Sequence, residues 1–431
     1  MVVPVVAFII TYVLMIILAD YRHWVALASA VFFVAYGILP WRELGSAIGL
    51  SGLNVLLLLF GTMGTVSYFV ESKMPDKMAK GLLKLAPNTL WAVIIISLFA
   101  GFISAFMDNV ATVLMIAPIG LAVAKELKIS PIAMLICIAV SSNLQGAATL
   151  VGDTTSIMLA DAKYADMNFM DFFYMNGRAG ICWAVELGAL ATVPVIAILF
   201  RKERSKVKVD SDVKVNDPMP SVLLLLNICC LIAASFLPGK SDFPTNGVIC
   251  MAFFVLTSLY SLLRNKGGKL VKQAFREIDY RTLLLLASLF VIIAGITRAG
   301  LLDVIAKALV SAGNNNLFVV YSLIVWGSVL CSAFVDNIPY VATMLPIIGG
   351  IGGIADKLGC APYVLYFGLL TGATLGGNIT PIGASANITA IGILRREGYQ
   401  VKNKDFLRIG VPFTLVAVTV GYLYCWFVWA H

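Results

Sequence analysis

The chain has 431 residues, 60% of them hydrophobic and only 13% charged, with a formal net charge of +8. Soluble domains average about 25% charged residues, so water is not this protein's main solvent. The basic residues sit in short segments between apolar runs, where they act as topology signals, and a nucleic-acid partner is excluded. Eight cysteines without a C-x-x-C pair, and the two histidines His23 and His431, give no reason to expect a disulfide framework or a metal centre.

From the N-terminus onward, apolar runs at 1–19, 24–39, 179–200, 221–237 and 406–429 approach or exceed the roughly 20 residues that cross hydrocarbon. The first run lacks the basic n-region and small-x-small site of a signal peptide, so it reads as a helix. Placing 201–214 in the cytoplasm puts Arg22, the Lys73, Lys77, Lys80 and Lys84 segment, Lys125, Lys128, the 264–281 loop and 395–408 on the same side. Arg42, Lys163, Arg178, Lys240, Arg298, Lys307 and Lys357 fall opposite, leaving 24 of the 31 Lys and Arg inside, in keeping with the positive-inside rule. This arrangement has about ten crossings, two hairpins that enter and leave on one side, and both termini outside. The charged segment 201–218, without apolar periodicity, reads as a cytoplasmic linker between an N-terminal half, 1–200, and a C-terminal half, 219–431.

The two halves repeat. Residues 104–118 match 332–346 at a constant offset of 228, with Ser104, Ala105, Phe106, Asp108, Asn109, Val113 and Pro118 identical to their counterparts. After a short slip, 149–156 aligns with 380–387, and Pro131 with Pro362. The hairpins, about 90–124 and 318–352, open from opposite sides in this topology, so the repeats are inverted, a hallmark of alternating-access transporters. The expected fold is an all-α polytopic membrane protein of two inverted repeats, each with a re-entrant helical hairpin and a discontinuous transmembrane helix.

Asp108 and Asp336 stand deep in apolar sequence, where a charge costs about 2.5–3.5 kcal/mol on insertion scales. Nothing basic lies within fifteen residues of Asp108. Such an acid binds a cation, takes up a proton or faces water; its structural alternative is to cap the following half-helix. Asn109 and Asn337 follow with amides that donate and accept, or simply pack between helices. The second motif of each half is a polar, glycine-rich interruption, 141–156 and 371–387, tolerated at membrane depth only where it is buried or lines a cavity. There Gly146, Gly372, Gly376 and Gly377 suit close helix packing as well as binding, while Asp153 breaks the symmetry, facing Ala384 in the other half. Arg178 with Glu186, and Arg298 with Asp303, read as loop-end ion pairs. Cys331 reads as packing, and Tyr422, Tyr424, Trp426 and Trp429 as an interfacial aromatic belt.

The motifs M-D-N-V-A-T-V-L-M-I-A-P (107–118) and V-D-N-I-P-Y-V-A-T-M-L-P (335–346), with G-N-I-T-P-I-G (377–383), resemble the ion transporter superfamily. More narrowly they resemble its branch of arsenite permeases, NhaD-type sodium/proton antiporters, the melanosomal P protein and citrate-transporter-like proteins. The resemblance covers nearly the whole chain. It implies a site at the two hairpin tips and the two helix breaks, with an elevator-type motion of that unit against a scaffold. Where divalent-anion/sodium symporters of the superfamily carry Ser-Asn-Thr, this chain has Asp108-Asn109-Val110 and Asp336-Asn337-Ile338. The first half also has Gly152-Asp153-Thr154-Thr155-Ser156 where relatives commonly place prolines before an Asn.

The expected function is a secondary transporter of a small inorganic ion or small polar solute, coupled to Na⁺ or H⁺ and without an organic cofactor. The ion and solute site is expected at Asp108, Asn109, Thr112, Asn143, Thr149, Gly152, Asp153, Thr154, Asp336, Asn337, Thr374, Asn378, Thr380, Gly383, Ser385 and Asn387, with Na⁺ at Asp108, Asn109, Asp336 and Asn337. Two tip aspartates oppose a dicarboxylate, so sodium/proton exchange or arsenite-type efflux leads and citrate-like anion transport is the alternative. An intramembrane aspartyl protease is a remote alternative, since the chain lacks a Gly-x-Gly-Asp with an upstream Tyr-Asp partner; a passive channel is a third class. No G-x-x-x-x-G-K-[ST] motif occurs, so ion gradients supply the energy unless a separate ATPase partner does. The expected setting is the cell (inner) membrane, and the expected assembly a homodimer.

Overall fold

A computed structural model describes residues 2–126, 129–202, 205, 213–237, 243–264, 268–350 and 352–431. Lys128, Lys240 and positions 203–204 and 206–212 of the expected linker lie outside the described residues. The chain is a multi-pass helical membrane protein. Seven of its described helices are long and apolar enough to cross a bilayer, nine if two bent pairs each count as one span. The higher expected number arises because short or broken helices also belong to the bundle.

The first repeat comprises α1 (Val2–Ile17), α2 (Arg22–Ala35), α3 (Leu44–Glu71), α4 (Met74–Leu83), α5 (Thr89–Ser104), α6 (Asn109–Glu126), α7 (Pro131–Gly146), α8 (Thr154–Leu159) and α9 (Ile181–Leu199). A two-residue ribbon, β1 (Tyr174–Met175) and β2 (Arg178–Ala179), precedes α9. The second repeat comprises α10 (Met219–Ala234), α11 (Thr245–Arg264), α12 (Lys269–Glu277), α13 (Tyr280–Arg298), α14 (Leu301–Ala312), α15 (Leu317–Ser332), α16 (Asn337–Gly349), α17 (Ile354–Leu358), α18 (Tyr363–Gly376), α19 (Ser385–Arg396) and α20 (Asn403–Trp429).

The hairpins are α5–α6 and α15–α16. Each begins with an asparagine cap at the 228-residue offset: Asn88 accepts from the Trp91 amide and Asn316 from the Val319 amide, both at 3.2 Å. Such caps satisfy N–H groups that a membrane interior would leave bare. The discontinuous helices are α7–α8 and α18–α19, and the residues that restart them, Asp153 and Ala384, share one backbone conformation (φ −140°, ψ 146° and φ −141°, ψ 144°).

The helices form two layers. In one, α3 packs on α11, α2 on α13, α1 on α2 and α10 on α11; in the other, each hairpin packs on its broken helix, α6 on α19, α16 on α8, and α9 on α20. α3 is kinked at Gly49, which has φ 63°, a conformation that glycine adopts without steric penalty. Lys163 donates to the Ala47 and Ile48 carbonyls at 3.1 and 3.2 Å, beside that kink. Lys163→Met is expected to lower stability by about 1 kcal/mol, read as a lower midpoint for thermal unfolding of the purified protein.

Loops expected on one side do meet. The Asn216 amide donates to the Ser72 carbonyl, Arg264 pairs with Asp217, and Lys125 pairs with Glu397 at 2.6 Å. At the opposite end Lys163 reaches α3, and Lys357 pairs with Asp303 at 2.7 Å.

Four sequence expectations are corrected. Arg178 donates to the Val428 carbonyl and stacks near Trp429 rather than pairing with Glu186. Arg298 pairs with Glu43, and Asp303 with Lys307 and Lys357. The C-terminal aromatics are packing groups as much as a belt: Tyr422 stacks on Tyr321 at 5.0 Å, Tyr424 donates to Gly180, and Trp429 is buried and donates to Ala179. Cys331 is exposed rather than packed inside.

Candidate functional site

Both hairpins place an aspartate where the returning arm begins, because the chain needs an acceptor for the free amides of that half-helix. Asp108 accepts from the Val110 and Ala111 amides at 2.9 and 3.1 Å, and Asp336 from the Ile338 amide at 3.2 Å. The capping alternative is therefore realised, and each carboxylate still faces a cavity.

Asn109 and Asn337 are buried behind the tips. Ser104 donates to Asn109 at 2.8 Å and Ser332 donates to Asn337 at 2.5 Å, the same bond in each repeat. Asn109 donates to Asn143 at 3.1 Å, and Asn143 donates across the repeats to the Thr374 carbonyl and Asn378 at 2.8 and 3.0 Å. Asn378 donates back to the Val140 carbonyl at 3.0 Å. Thr155 and Thr374 meet at 3.2 Å. This buried polar web clamps the two broken helices together. Asn143→Ala would leave several buried partners unsatisfied, at about 1–3 kcal/mol each; the expected result is a thermal unfolding midpoint lowered by several degrees, measurable in detergent.

The breaks hold the tips. Thr149 donates to the Ala105 carbonyl and Thr380 to the Ala333 carbonyl, again as repeat mates. Asn387 donates to the Gly377 and Thr380 carbonyls at 3.0 and 3.2 Å. A Cβ on Gly152 would lie under 3.0 Å from the Gly146, Ser104 and Ala105 carbonyl oxygens. A Cβ on Gly383 would meet the Gly377, Ser332 and Ala333 carbonyls at 2.6, 2.8 and 3.0 Å. The other glycines divide: Gly372 and Gly376 lie against the α15 backbone and serve packing, whereas Gly146 and Gly377 approach the Asn109 and Asn337 amides.

Two adjoining cavities share Asp108, Asp153 and Asp279. The larger, about 510 Å³, runs along α3 from Leu59 to Val70 and also meets Glu277. The smaller, about 60 Å³, is bounded by both tips, Arg22 and Ser385, with room for a few waters or a partly hydrated cation. Asn109, Asn143, Thr154 and Asn337 also reach its wall. Asp153 accepts from the Thr155 hydroxyl at 2.7 Å. Thr112, by contrast, is buried on α6 with its hydroxyl unpartnered and lines neither cavity. Among the described residues no three His, Cys, Asp or Glu side chains converge on one metal-ion position, so a cation here would draw most of its oxygen ligands from carbonyls, hydroxyls and amides.

Sequence reasoning missed three charged residues. Arg22, expected in a cytoplasmic loop, starts α2 and pairs with Asp336 at 2.5 Å. Asp279 and Glu277, expected in the 264–281 loop, stand on the cavity wall, Asp279 capping α13 through the Arg281 and Thr282 amides at 3.1 Å each.

The sequence profile described as citrate transporter matches residues 12–356. An uncharacterized transporter of Mycobacterium bovis is 30% identical over 386 residues, 86% of this chain and 85% of that protein. The human P protein is 26% identical over 447 residues, covering 86% of this chain and 53% of that protein. Among solved structures, the Alcanivorax borkumensis YdaH transporter matches with a TM-score of 0.58 at 15% identity, covering 89% of this chain and 87% of that one. Neisseria gonorrhoeae MtrF matches with a TM-score of 0.55 at 14% identity, over 93% and 84%. At these identities the structural matches speak for the fold alone.

Proposed function

We propose that this chain, which belongs to the citrate transporter family, is a secondary active transporter that moves a small inorganic ion or small polar solute by alternating access, coupled to Na⁺ or H⁺. Sodium/proton exchange is the leading activity and arsenite-type efflux stands beside it. One observation carries the reading: Asp108 and Asp336, related by the repeat, meet at one small cavity with Asp153 and Asp279, against Arg22 as the one basic side chain among the described residues that line it. A desolvated site with that balance attracts cations and disfavours multiply charged anions. Hairpins and broken helices packed as one layer against the other support an elevator-like motion, with the helix breaks completing the solute site. The larger cavity extends along α3 toward the end beside Lys73, which supports reading this conformation as the cytoplasm-facing one.

Citrate-like anion transport is the second reading, favoured by the family's description and by Arg22 with Ser385 at the start of α19. The cell membrane as location and a homodimeric assembly complete the proposal.

The test is reconstitution into liposomes with an internal pH dye, followed by external Na⁺. Sodium-driven proton movement in the wild type, lost in Asp108→Asn, supports exchange. Silence in the wild type removes that activity and directs the assay to labelled arsenite and citrate uptake under imposed gradients.

A further inference from the structure

The hairpin tips carry the same Asp-Asn pair, yet only one of the two aspartates has a fixed cation. The Arg22 guanidinium donates to Asp336 at 2.5 Å and reaches the Ser385 hydroxyl at 3.4 Å; Ser385 also approaches Asp336 at 3.3 Å. Both partners of the ion pair are mostly withdrawn from solvent, at 23% and 17% side-chain exposure. Asp108 forms no ion pair among the described residues and is met only by backbone amides. The offset that superposes the tips puts Cys250 opposite Arg22. Cys250 is fully buried on α11, where its backbone lies against Gly61, so the equivalent helix sends no cation to the first tip.

Arg22 and Asp336 also belong to different layers. Arg22 starts α2, which packs on α13, whereas Asp336 heads α16, which packs on α18 and α8 and meets α13 and α14 across the boundary between the layers. A guanidinium stays charged in proteins, and on a packed helix it remains close to its partner. A mobile cation reaching Asp336 must therefore displace it.

We propose that Arg22 is an internal cation that competes with the exchangeable one at Asp336, so that Asp108 fills first and loading of Asp336 unlatches the second hairpin from the α2–α13 layer. This rests on the cation-coupled reading above. It makes the two symmetric aspartates unequal: one is an open site, the other a latch whose release requires a replacement charge.

The experiment compares the full chain in proteoliposomes as wild type, Arg22→Lys, Arg22→Gln, Asp336→Asn and the Arg22→Gln/Asp336→Asn double variant. Cation dependence of flux is measured with Na⁺ and, separately, with an imposed pH gradient. Arg22→Gln is expected to raise apparent cation affinity about tenfold, the scale of losing a charge-assisted competitor. Arg22→Lys is expected to stay near wild type, and the double variant to lose the gain, because the carboxylate that the freed site would offer the cation is gone. The double variant also removes both partners of the pair, so no lone charge is left to unfold it. A responsive wild type with unchanged affinity in Arg22→Gln, or a gain that persists in the double variant, overturns this proposal and leaves the functional reading standing. A wild type that responds to neither cation overturns both.

Discussion

Asp108→Asn is expected to weaken cation dependence by about 10- to 100-fold while leaving the fold intact. An asparagine oxygen can still accept the Val110 and Ala111 amides, so the cap survives. What is lost is the charge, and a contact to a charged partner contributes about 1.5–3 kcal/mol, with each 1.4 kcal/mol a factor of ten. The measurement is the sodium or proton concentration giving half-maximal flux, read beside an unchanged unfolding midpoint. Asp336→Asn behaves differently, because it strands the Arg22 guanidinium in a mostly desolvated position. Losing a charge-assisted contact of a partly buried pair costs about 1.5–3 kcal/mol, so that variant loses stability as well as cation dependence, and Arg22→Gln in the same chain restores part of the stability. Equal loss of flux with equal, unperturbed stability in the two single variants would contradict the asymmetry between the tips.

Gly152→Ala is expected to be the most damaging single-methyl change at the site. The added carbon would stand under 3.0 Å from three carbonyl oxygens, belonging to the end of α7 and the first hairpin tip. All three are backbone, so relief requires moving the tip away from the helix break; overpacking of this kind costs about 1–3 kcal/mol or more. Gly383→Ala meets the mirrored cage at slightly longer distances and should be milder. Gly392→Ala, on α19 with nothing within 4 Å of the new methyl, is the control and should be neutral. The readouts are the unfolding midpoint and transport by the folded fraction; wild-type behaviour of Gly152→Ala on both would show that the tip and the break are not held in this contact.

The mirrored bonds explain why so much was legible beforehand. Ser104 with Asn109 and Ser332 with Asn337 are bonds within one hairpin, so their residues lie close in sequence and recur in the repeat. The helix breaks were legible for a similar reason: a glycine-rich polar stretch such as 371–387 cannot continue an apolar helix in hydrocarbon without satisfying its backbone. The same local reasoning misread Arg22 and Asp279. A basic or acidic residue between apolar runs looks the same whether it lies in a loop or at the head of a helix that starts inside the protein.

Thr112 shows the opposite error. It lies one helical turn from Asp108, yet its hydroxyl is buried and unpartnered among the described residues and lines neither cavity.

The sequence alone determined the membrane setting, the inverted repeat, the two hairpins and the glycine-rich breaks, since each follows from local hydropathy or from the 228-residue self-match. Only the tertiary structure decided that Asn143 would clamp the repeats through Asn378, that Asp279 would join the cavity wall and that Arg22 would neutralise Asp336. The Arg22–Asp336 and Asn143–Asn378 contacts join residues 314 and 235 positions apart, and Asp279 reaches the cavity through the packing of α13. No local period encodes such distances, and they are set by how the two layers dock.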